Sequence, residues 1–301
     1  MPESPLTAVF RADAAPRLGG GHVMRCLALA DALRDQDWLC SFVVGPETLA
    51  TVPSLATAGY RTIALADSHD LTEMQRRLAG GCDLLVVDHY GLEAAFETAC
   101  RPWVRRILAI DDLADRPHDC DLLLDQTLGR DAKDYAALLP PSARLLLGPA
   151  YALLRPAFAI ARPAATARRA AGQLARVLVA MGLTDPDNAT GLVLQGIFDS
   201  RLPLQVDVVL GAAAPHRAAV ATMVQQMGAR AALHIGSANL AGLMSEADLA
   251  FGAAGTSAWE RCALGLPTAL LVLAENQQQV AKALLAAGAA VALGSPKEAT
   301  P

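Results

Sequence analysis

The chain has 301 residues, of which 53% are hydrophobic and 18% are charged, and its formal net charge is −5. This length provides enough core for two domains, and the composition excludes both an intrinsically disordered chain and a basic nucleic-acid-binding protein. No apolar run reaches the roughly 20 residues that a bilayer-spanning helix needs, and the N-terminus lacks the basic and apolar regions of a signal peptide. We therefore expect a cytoplasmic α/β enzyme without a nucleic-acid or membrane partner.

The cysteines are scattered, without a Cys-x-x-Cys pair or a histidine at metal-ligand spacing. Isolated cysteines of this kind are typical of buried, reduced thiols rather than of a zinc site or a catalytic nucleophile. We therefore expect no metal and no cofactor. The cysteines are Cys26, Cys40, Cys82, Cys100, Cys120 and Cys262.

The first motif is a glycine-rich turn near the N-terminus. A short apolar strand around Phe10 precedes Gly19, Gly20 and Gly21, and a segment with the periodicity of an amphipathic helix follows. His22 stands where this helix is expected to begin. Because helix N-termini present unpaired N–H groups and partial positive charge, the turn favours an anionic ligand such as a phosphate, with His22 placed for proton transfer. An ordinary structural turn is the alternative interpretation.

Strand and helix patterns then alternate through the first half of the chain. Strands are predicted at 38–44, 61–65, 83–87, 106–110, 121–124 and 145–147, and helices at 46–58 and 70–79. This alternation favours right-handed βαβ units in a doubly wound parallel sheet, whose ligands lie beyond the carboxyl ends of the strands.

Polar residues follow several of these strands. Asp88, His89 and Tyr90 come directly after an apolar run, and His22 is also expected at a strand's carboxyl end, so the two groups are candidates for one site. Asp112 and Asp125 end strands as well, but capping of turns and helices is the commoner role of Asp there, and we assign them to it.

The composition changes to Ala, Arg and Pro over residues 156–172, where little strand pattern remains. We place a domain boundary there, between an N-terminal domain of residues 1–160 and a C-terminal domain of residues 172–301. The second half repeats the alternation, and we expect two Rossmann-like doubly wound domains facing a central cleft. Its strands are predicted at 176–181, 204–210, 231–235, 248–251 and 268–273, and its helices at 189–198, 216–227, 240–246, 257–264 and 277–287.

A second glycine-rich turn, from Gly252 to Thr256, follows a predicted strand and opens a helix. Its backbone could bind a diphosphate, and Glu260 could accept hydrogen bonds from ribose hydroxyls. Ser257 and Glu260 also have the spacing of a capping box, which would explain both residues without a ligand. The sequence leaves both interpretations open.

The last predicted strand ends in an unusually polar segment. Asn276 and Gln277 stand at the strand end, where ligand contact is the expected role if a cleft is present. Gln278 and Gln279 are expected to cap the next helix and to face solvent.

Seven short motifs occur in order along nearly the whole chain. They are Phe10-Arg11-Ala12-Asp13, Gly19-Gly20-Gly21-His22-Val23-Met24-Arg25, Val87-Asp88-His89-Tyr90-Gly91, Gly148 to Arg155, Thr184-Asp185-Pro186, Gly252 to Glu260, and Glu275-Asn276-Gln277. Together they resemble the motifs of the PseG family, the UDP-sugar hydrolases of pseudaminic acid biosynthesis. The resemblance implies a glycosyltransferase-B-type fold like that of the peptidoglycan glycosyltransferase MurG, with a UDP-sugar between two Rossmann-like domains.

The family reaction would be hydrolysis of UDP-2,4-diacetamido-2,4,6-trideoxy-β-L-altropyranose to UDP and the free sugar, with inversion at the anomeric carbon. By this resemblance His22 would orient or deprotonate the attacking water, and Tyr90 and Asn276 would line the sugar pocket. The second glycine turn and Glu260 would hold the diphosphate and the ribose. The substrate-binding residues implied in this way are Arg11, Asp13, Gly20, Gly21, Arg25, Asp88, Gly252, Gly255, Thr256, Ser257, Glu260 and Gln277.

The chain departs from the family pattern in the second domain, where Gly182-Leu183 replaces a glycine pair. Asp13 and Asp88 are candidates for the residue that orients His22. Longer family members continue with helices past the position of Pro301, so we expect some interdomain packing to be missing. A glycosyltransferase that uses a UDP-sugar donor, and a catalytically silent nucleotide-sugar binding protein, are the alternative functions.

Overall fold

A computed structural model describes residues 4–170, 172–236 and 239–296. It contains two parallel β-sheets, one of seven strands and one of six, each with helices in its crossover connections. The predicted α/β class with two doubly wound sheets is confirmed.

The chain divides into two compact units by its internal contacts. One contains Met1–Ala15 and His22–Leu153, and the other contains Pro16–Gly21 and Leu154–Pro301. The domain limits expected from composition stay a prediction.

The seven-stranded sheet belongs to the first half of the chain, and every neighbouring pair of its strands is parallel. Its strands are β1 (Thr7–Ala12), β2 (Leu39–Val44), β3 (Arg61–Ala64), β4 (Cys82–Asp88), β5 (Val104–Ile110), β6 (Leu122–Asp125) and β7 (Arg144–Leu147). They lie in the order β3-β2-β1-β4-β5-β6-β7. The apolar run that predicted β4 is buried at Leu85, Val86 and Val87, as expected for a parallel strand covered on both faces.

The helices of this half agree with the prediction after the first glycine turn and over residues 70–79, whereas the helix at Ala94–Cys100 was not predicted and the segment 46–58 differs. They are α1 (Gly21–Arg34), α2 (Thr48–Thr51), α3 (Ser54–Thr57), α4 (Leu71–Arg77) and α5 (Ala94–Cys100), with 3-10 helices at Arg101–Trp103, Ala132–Tyr135 and Pro149–Tyr151. The single helix predicted over residues 46–58 is wrong, because α2 and α3 are separate one-turn helices. Pro53 lies between them and has no N–H group with which to continue α2.

The register of the sheet aligns the carboxyl ends of β1 and β4. Ala12, the last residue of β1, lies opposite Asp88, the last residue of β4. Both strands are parallel, so the loop after β1 and the loop after β4 start at the same edge of the sheet. Gly19 in the first of these loops has a φ of +79°, a conformation that glycine adopts without strain.

The six-stranded sheet belongs to the second half of the chain. Its strands are β8 (Arg176–Ala180), β9 (Gln205–Leu210), β10 (Ala231–Ile235), β11 (Leu249–Ala253), β12 (Thr268–Leu271) and β13 (Val291–Ala292), in the order β10-β9-β8-β11-β12-β13. The helices are α6 (Pro156–Arg169), α7 (Ala189–Ser200), α8 (Arg217–Met227), α9 (Leu240–Glu246), α10 (Ser257–Ala263) and α11 (Gln278–Ala286), with 3-10 helices at Gly228–Arg230 and Glu275–Gln277.

Helix α6 occupies most of the segment 156–172, in which the composition indicated a domain boundary with little strand pattern. Pro156 stands in its first turn, where a missing N–H group costs little. The Arg169 guanidinium donates to the Leu264 carbonyl at 2.5 Å and to the Met244 carbonyl at 2.6 Å, and Arg162 donates to the Ala263 carbonyl. These arginines satisfy carbonyl groups at the C-terminal ends of α9 and α10, so α6 is a structural part of the second unit.

All six cysteines are free, and Cys26, Cys82, Cys100 and Cys120 are buried. None of the helices in the described part of the chain combines the length and the apolar character needed to span a bilayer.

Candidate functional site

His22 lies in the first turn of α1 and is buried. Its Nδ1 atom is 2.5 Å from Oδ1 of Asp88, the residue that ends β4. A carboxylate only accepts hydrogen bonds, so this contact assigns the imidazole proton to Nδ1. Nε2 then carries the lone pair, and His22 is oriented to accept a proton there.

Asp88 is completely buried, and its carboxylate accepts hydrogen bonds from more than one side chain. The guanidinium of Arg25 donates to both carboxylate oxygens, from Nε at 2.6 Å and from Nη2 at 2.6 Å. Burial raises the pKa of Asp88, but the charges of Arg25 and His22 lower it more, and the net pKa is well below its ordinary value. Asp88 is therefore ionised at neutral pH, and it is the residue that orients His22.

Arg25 also contacts a second carboxylate, that of Asp112 beyond the end of β5. Its Nη1 donates to Oδ2 of Asp112 at 2.9 Å, and the Tyr90 hydroxyl donates to Oδ1 of the same residue at 3.0 Å. The Tyr90 and His22 rings meet edge to face, with centroids 4.6 Å apart. The five residues His22, Arg25, Asp88, Tyr90 and Asp112 thus form a closed ring of contacts, hereafter the His22 ring.

The capping role predicted for Asp112 is wrong, because its carboxylate pairs with two side chains. For Asp125 the prediction is right in part. One Asp125 oxygen accepts from the Thr127 backbone at 2.8 Å in a turn, while the other accepts from Arg130 and Tyr135. Sequence spacing could not reveal the Arg25–Asp112 pair, because 87 residues separate its members.

Arg11 and Asp13, which the resemblance assigned to substrate binding, form an internal ion pair. Arg11 is completely buried and donates to the Ser68 carbonyl at 2.5 Å. Asp13 accepts from the Gly45 backbone at 2.6 Å and from His89 Nε2 at 3.1 Å. These contacts tie together the loops that follow β1, β2, β3 and β4, which is a structural role, and substrate contact by either residue stays a prediction.

The environment of Asp13 resembles that of Asp88 electrostatically. Burial raises the pKa of Asp13, but hydrogen bonds from His89 and Arg11 and the charge of Arg11 lower it well below its ordinary value. His89 accepts from the Gly91 backbone through Nδ1 at 2.9 Å, which fixes its ring and directs Nε2–H toward Asp13. Asp13 therefore pairs with His89, and Asp88 pairs with His22.

Gly20 is buried and Gly21 is half-buried, and Gly21 begins α1. Contact of Gly20 and Gly21 with the substrate stays a prediction.

In the second unit, the glycine turn between β11 and α10 is built on Arg261. This buried guanidinium donates to the Ala253 carbonyl at 2.6 Å and to the Ser257 hydroxyl at 3.1 Å. A Cβ atom added at Gly252 would lie 2.5 Å from Arg261 Nη1, so packing against Arg261 requires a glycine there. A Cβ at Gly255 would meet only Gln277, at an ordinary 3.8 Å.

The capping-box interpretation of Ser257 and Glu260 is wrong. Thr256 occupies the N-cap position of α10, and among the described contacts it makes no side-chain cap. Ser257 is instead an acceptor for Arg261. Glu260 is only 16% exposed, with its Oε1 atom 3.9 Å from Arg155 Nη2. Burial raises the pKa of Glu260, while Arg155 and Arg261 lower it by less.

The polar segment after β12 forms the 3-10 helix Glu275–Gln277. Asn276 is exposed, and Gln277 uses its Oε1 atom to accept from the Leu273 backbone at 3.0 Å. Gln278 and Gln279 are exposed in the first turn of α11, as predicted, but the N-cap of that helix is Gln277, which makes no side-chain cap among the described contacts. The ligand contacts predicted for Asn276 and Gln277 stay predictions.

Three residues of these clusters were missed as partners by the sequence analysis: Asp112, Arg155 and Arg261. Asp112 shared with Asp88 the position at a strand end, and Arg155 ends the motif from Gly148 to Arg155, so both had a usable signal, whereas Arg261 had none. Across the described parts of the chain, no group of three or more His, Cys, Asp and Glu residues is arranged to hold a metal ion.

Comparison with known proteins gives distant relatives. The chain is 27% identical over 147 residues to the UDP-2,4-diacetamido-2,4,6-trideoxy-beta-L-altropyranose hydrolase of Campylobacter jejuni, covering 48% of this chain and 51% of that protein. It is 23% identical over 273 residues to an uncharacterized protein of Methanocaldococcus jannaschii, covering 89% and 56%. It is 33% identical over 122 residues to the spore coat polysaccharide biosynthesis protein SpsG of Bacillus subtilis, covering 39% and 35%.

The chain thus spans about half the length, or less, of the curated relatives it matches. No protein-family model matches it. The relationship to the hydrolase and to SpsG is one of distant homology.

Solved structures share the fold over nearly the whole chain. MurG of Acinetobacter baumannii aligns with a TM-score of 0.62 at 14% identity, covering 97% of this chain and 88% of that one. UGT89C1 of Arabidopsis thaliana, solved with UDP, aligns with a TM-score of 0.65 at 12% identity, covering 99% and 88%. CalG4, the calicheamicin glycosyltransferase, aligns with a TM-score of 0.56 at 13% identity, covering 98% and 88%. The predicted glycosyltransferase-B-type fold with two Rossmann-like sheets is confirmed.

Proposed function

We propose that this protein hydrolyses a UDP-linked 2,4-diacetamido-2,4,6-trideoxy sugar at its anomeric carbon, releasing UDP and the free sugar with inversion. The observation that carries the proposal is the pair formed by His22 and Asp88, a buried imidazole whose lone pair is directed to Nε2 by an ionised carboxylate. The distant homology to the Campylobacter jejuni hydrolase supports the choice of reaction and substrate class.

In this mechanism the Nε2 atom of His22 accepts a proton from water as the water oxygen attacks the anomeric carbon. A new carbon–oxygen bond forms on one face of the sugar, and the bond to the β-phosphate oxygen breaks on the other face. The electron pair of that bond leaves with UDP, so a single displacement inverts the anomeric carbon. Asp88 stabilises the imidazolium and keeps its orientation.

Tyr90 supports this chemistry from the side of the imidazole. It contacts His22 edge to face and donates its hydroxyl proton to Asp112. Its oxygen lone pairs therefore suit an N–H or O–H donor of the sugar. We assign Tyr90, together with Asn276 and Gln277, to the sugar.

The second unit supplies the residues proposed for the nucleotide. Glu260 would accept hydrogen bonds from the ribose hydroxyls, and the turn of Gly252, Gly255, Thr256 and Ser257 would bind the diphosphate through backbone groups. The charge of Arg261 beneath this turn favours an anion. UDP is a stable leaving group, so the protein has mainly to position water and to stabilise charge on the departing phosphate.

The test is incubation of the purified protein with the UDP-sugar and no other acceptor, with UDP release measured over time. Release of UDP without an acceptor supports hydrolysis. An absolute requirement for an added acceptor would identify a glycosyltransferase instead, and tight binding without any turnover would identify a silent binding protein.

A further inference from the structure

The position of Asp112 in the His22 ring has a consequence for the chemistry of His22. Arg25 is 2% exposed and lies between two carboxylates, those of Asp88 and Asp112. Its Nη2 atom is also 3.3 Å from Nδ1 of His22. A buried cation this close opposes the formation of an imidazolium ion, because charges interact strongly where water is excluded.

The titratable groups around His22 come from α1, from β4 and from the loop after β4. Asp88 ends β4 and Arg25 projects from α1, and both lie against the imidazole, whereas Cys26 of α1 contacts Asp88. Tyr90 follows β4 and meets the His22 ring, and the Arg116 guanidinium, which pairs with Asp111, lies 5.7 Å from the Tyr90 ring centroid. Burial raises the pKa of the Cys26 thiol well above its ordinary value, so Cys26 adds no charge. Arg25 forms a bidentate pair with Asp88, and that pair is neutral by itself. Asp112 is the remaining charged group of the ring.

We propose that Asp112 is a positioning residue that offsets the charge of Arg25 and thereby allows His22 to act as a base. With Asp112, the ring carries one net negative charge while His22 is neutral, and it becomes neutral when His22 takes a proton. Without Asp112, protonation of His22 would leave a net positive charge in a buried cluster. The same carboxylate holds the Tyr90 hydroxyl at 3.0 Å and so fixes the phenol beside the imidazole.

This inference rests on the proposed role of His22 but can be measured without substrate. The experiment is a proton NMR titration of the His22 imidazole in the whole chain, assigned by comparison with His22→Gln, for wild type and Asp112→Asn. We expect the titration midpoint of Asp112→Asn to be lower by about half a pH unit or more, because a neighbouring negative charge has been removed. Asp37→Asn removes an exposed carboxylate from the same unit and serves as the control with an unchanged midpoint.

Two further variants separate charge from hydrogen bonding. Asp112→Glu keeps the charge and should keep the titration midpoint of His22 close to that of wild type. Tyr90→Phe removes the hydroxyl but leaves both carboxylates, so it should also keep the midpoint close to that of wild type. With the UDP-sugar as substrate, Asp112→Asn should lower kcat about tenfold at neutral pH while UDP affinity stays unchanged. Its activity should also persist to lower pH than that of wild type, because a weaker base stays unprotonated there.

An unchanged His22 midpoint in Asp112→Asn, with the folded state intact, would overturn the inference. So would an equal shift in Asp112→Glu, because the charge is retained there. If the amide variant does not fold, Asp112→Ser removes the same charge with a smaller side chain. Absence of UDP release by wild type would contradict the proposed function alone, since the titration reads the imidazole directly.

Discussion

At the scale of single residues, the proposed catalysis depends on the hydrogen bond between His22 and Asp88. Both atoms are buried, and the contact of 2.5 Å gives the imidazole one tautomer. Asparagine in place of Asp88 would keep the size of the side chain but remove the charge that stabilises an imidazolium.

We therefore predict that Asp88→Asn lowers kcat by about 10²- to 10⁴-fold, and that His22→Asn lowers it at least as much. Isothermal titration calorimetry should give UDP affinities close to that of wild type, because these side chains are not assigned to the nucleotide. Turnover by His22→Asn at the wild-type rate would remove His22 from the mechanism.

Glu260 allows a prediction about pH. Burial holds its pKa above the ordinary value of 4.5, so the folded state binds the Glu260 proton more tightly than the unfolded state does. The linkage relation then requires that ionisation of Glu260 destabilises the fold as pH rises from the ordinary pKa through the raised one. Glu260→Gln, which cannot ionise, should gain stability relative to wild type over this interval. Urea unfolding of both proteins at several pH values measures the difference between their unfolding free energies. If the advantage of Glu260→Gln over wild type became smaller as pH rises, the prediction would be wrong.

The sequence identified His22, Asp88 and Tyr90 because each follows a strand in a short recognisable motif. It did not identify Asp112 as their partner, because the pairing depends on β4 and β5 lying side by side. Nor could it separate Asp13 from Asp88 as the partner of His22, since both are acidic residues at the ends of neighbouring strands.

At the scale of elements, the turn between β11 and α10 provides a matched pair of glycine variants. Gly252→Ala should lower the midpoint of thermal unfolding, because its Cβ atom would lie 2.5 Å from the buried Arg261 guanidinium. Gly255→Ala has room for its Cβ atom and should leave the midpoint within a few degrees of wild type, while lowering UDP affinity about tenfold if the backbone there contacts the diphosphate. The opposite order of stabilities would contradict this description of the turn.

Helix α6 provides a second prediction at this scale. The Arg169 guanidinium donates to carbonyl groups at the ends of two helices. They are those of Met244 in α9, Ala247 just after α9 and Leu264 just after α10. Arg169→Met keeps most of the apolar stem but leaves these carbonyls without their donor, and we expect it to cost about 1–3 kcal/mol of unfolding free energy in urea. Arg76→Met, on an exposed surface of α4, is the control and should change the value by less than about 0.5 kcal/mol. Equal effects of the two variants would mean that α6 is not held in this way.

Strands such as β1, β4 and β8 were predictable because their apolar runs are buried on both faces. The packing of helix α6 was not predictable. The carbonyl groups that its arginines contact lie 75 to 101 residues further along the chain, so they leave no local pattern in the sequence. The two residues of β13 are too few to give a recognisable alternation.

At the scale of the whole molecule, the alternation of strands and helices was sufficient to predict two doubly wound sheets. Solved structures at 12–14% identity share this fold, and a shared fold hosts many different chemistries, so the residues of the site and not the fold indicate the reaction. The choice of a hydrolase depends on the His22 ring and on distant homology. The stereochemistry of the sugar depends on the shape of a pocket, which short motifs do not encode.

The proposed hydrolysis is tested by proton NMR of the purified protein with UDP-2,4-diacetamido-2,4,6-trideoxy-β-L-altropyranose in buffer without an acceptor. We expect loss of the donor's anomeric signal, appearance of UDP, and a free sugar that first appears as the anomer opposite to that of the donor. His22→Asn under the same conditions should leave the donor intact. A donor that persists with wild-type protein would contradict the proposed hydrolysis, and a sugar released first with its anomeric configuration retained would contradict the single displacement.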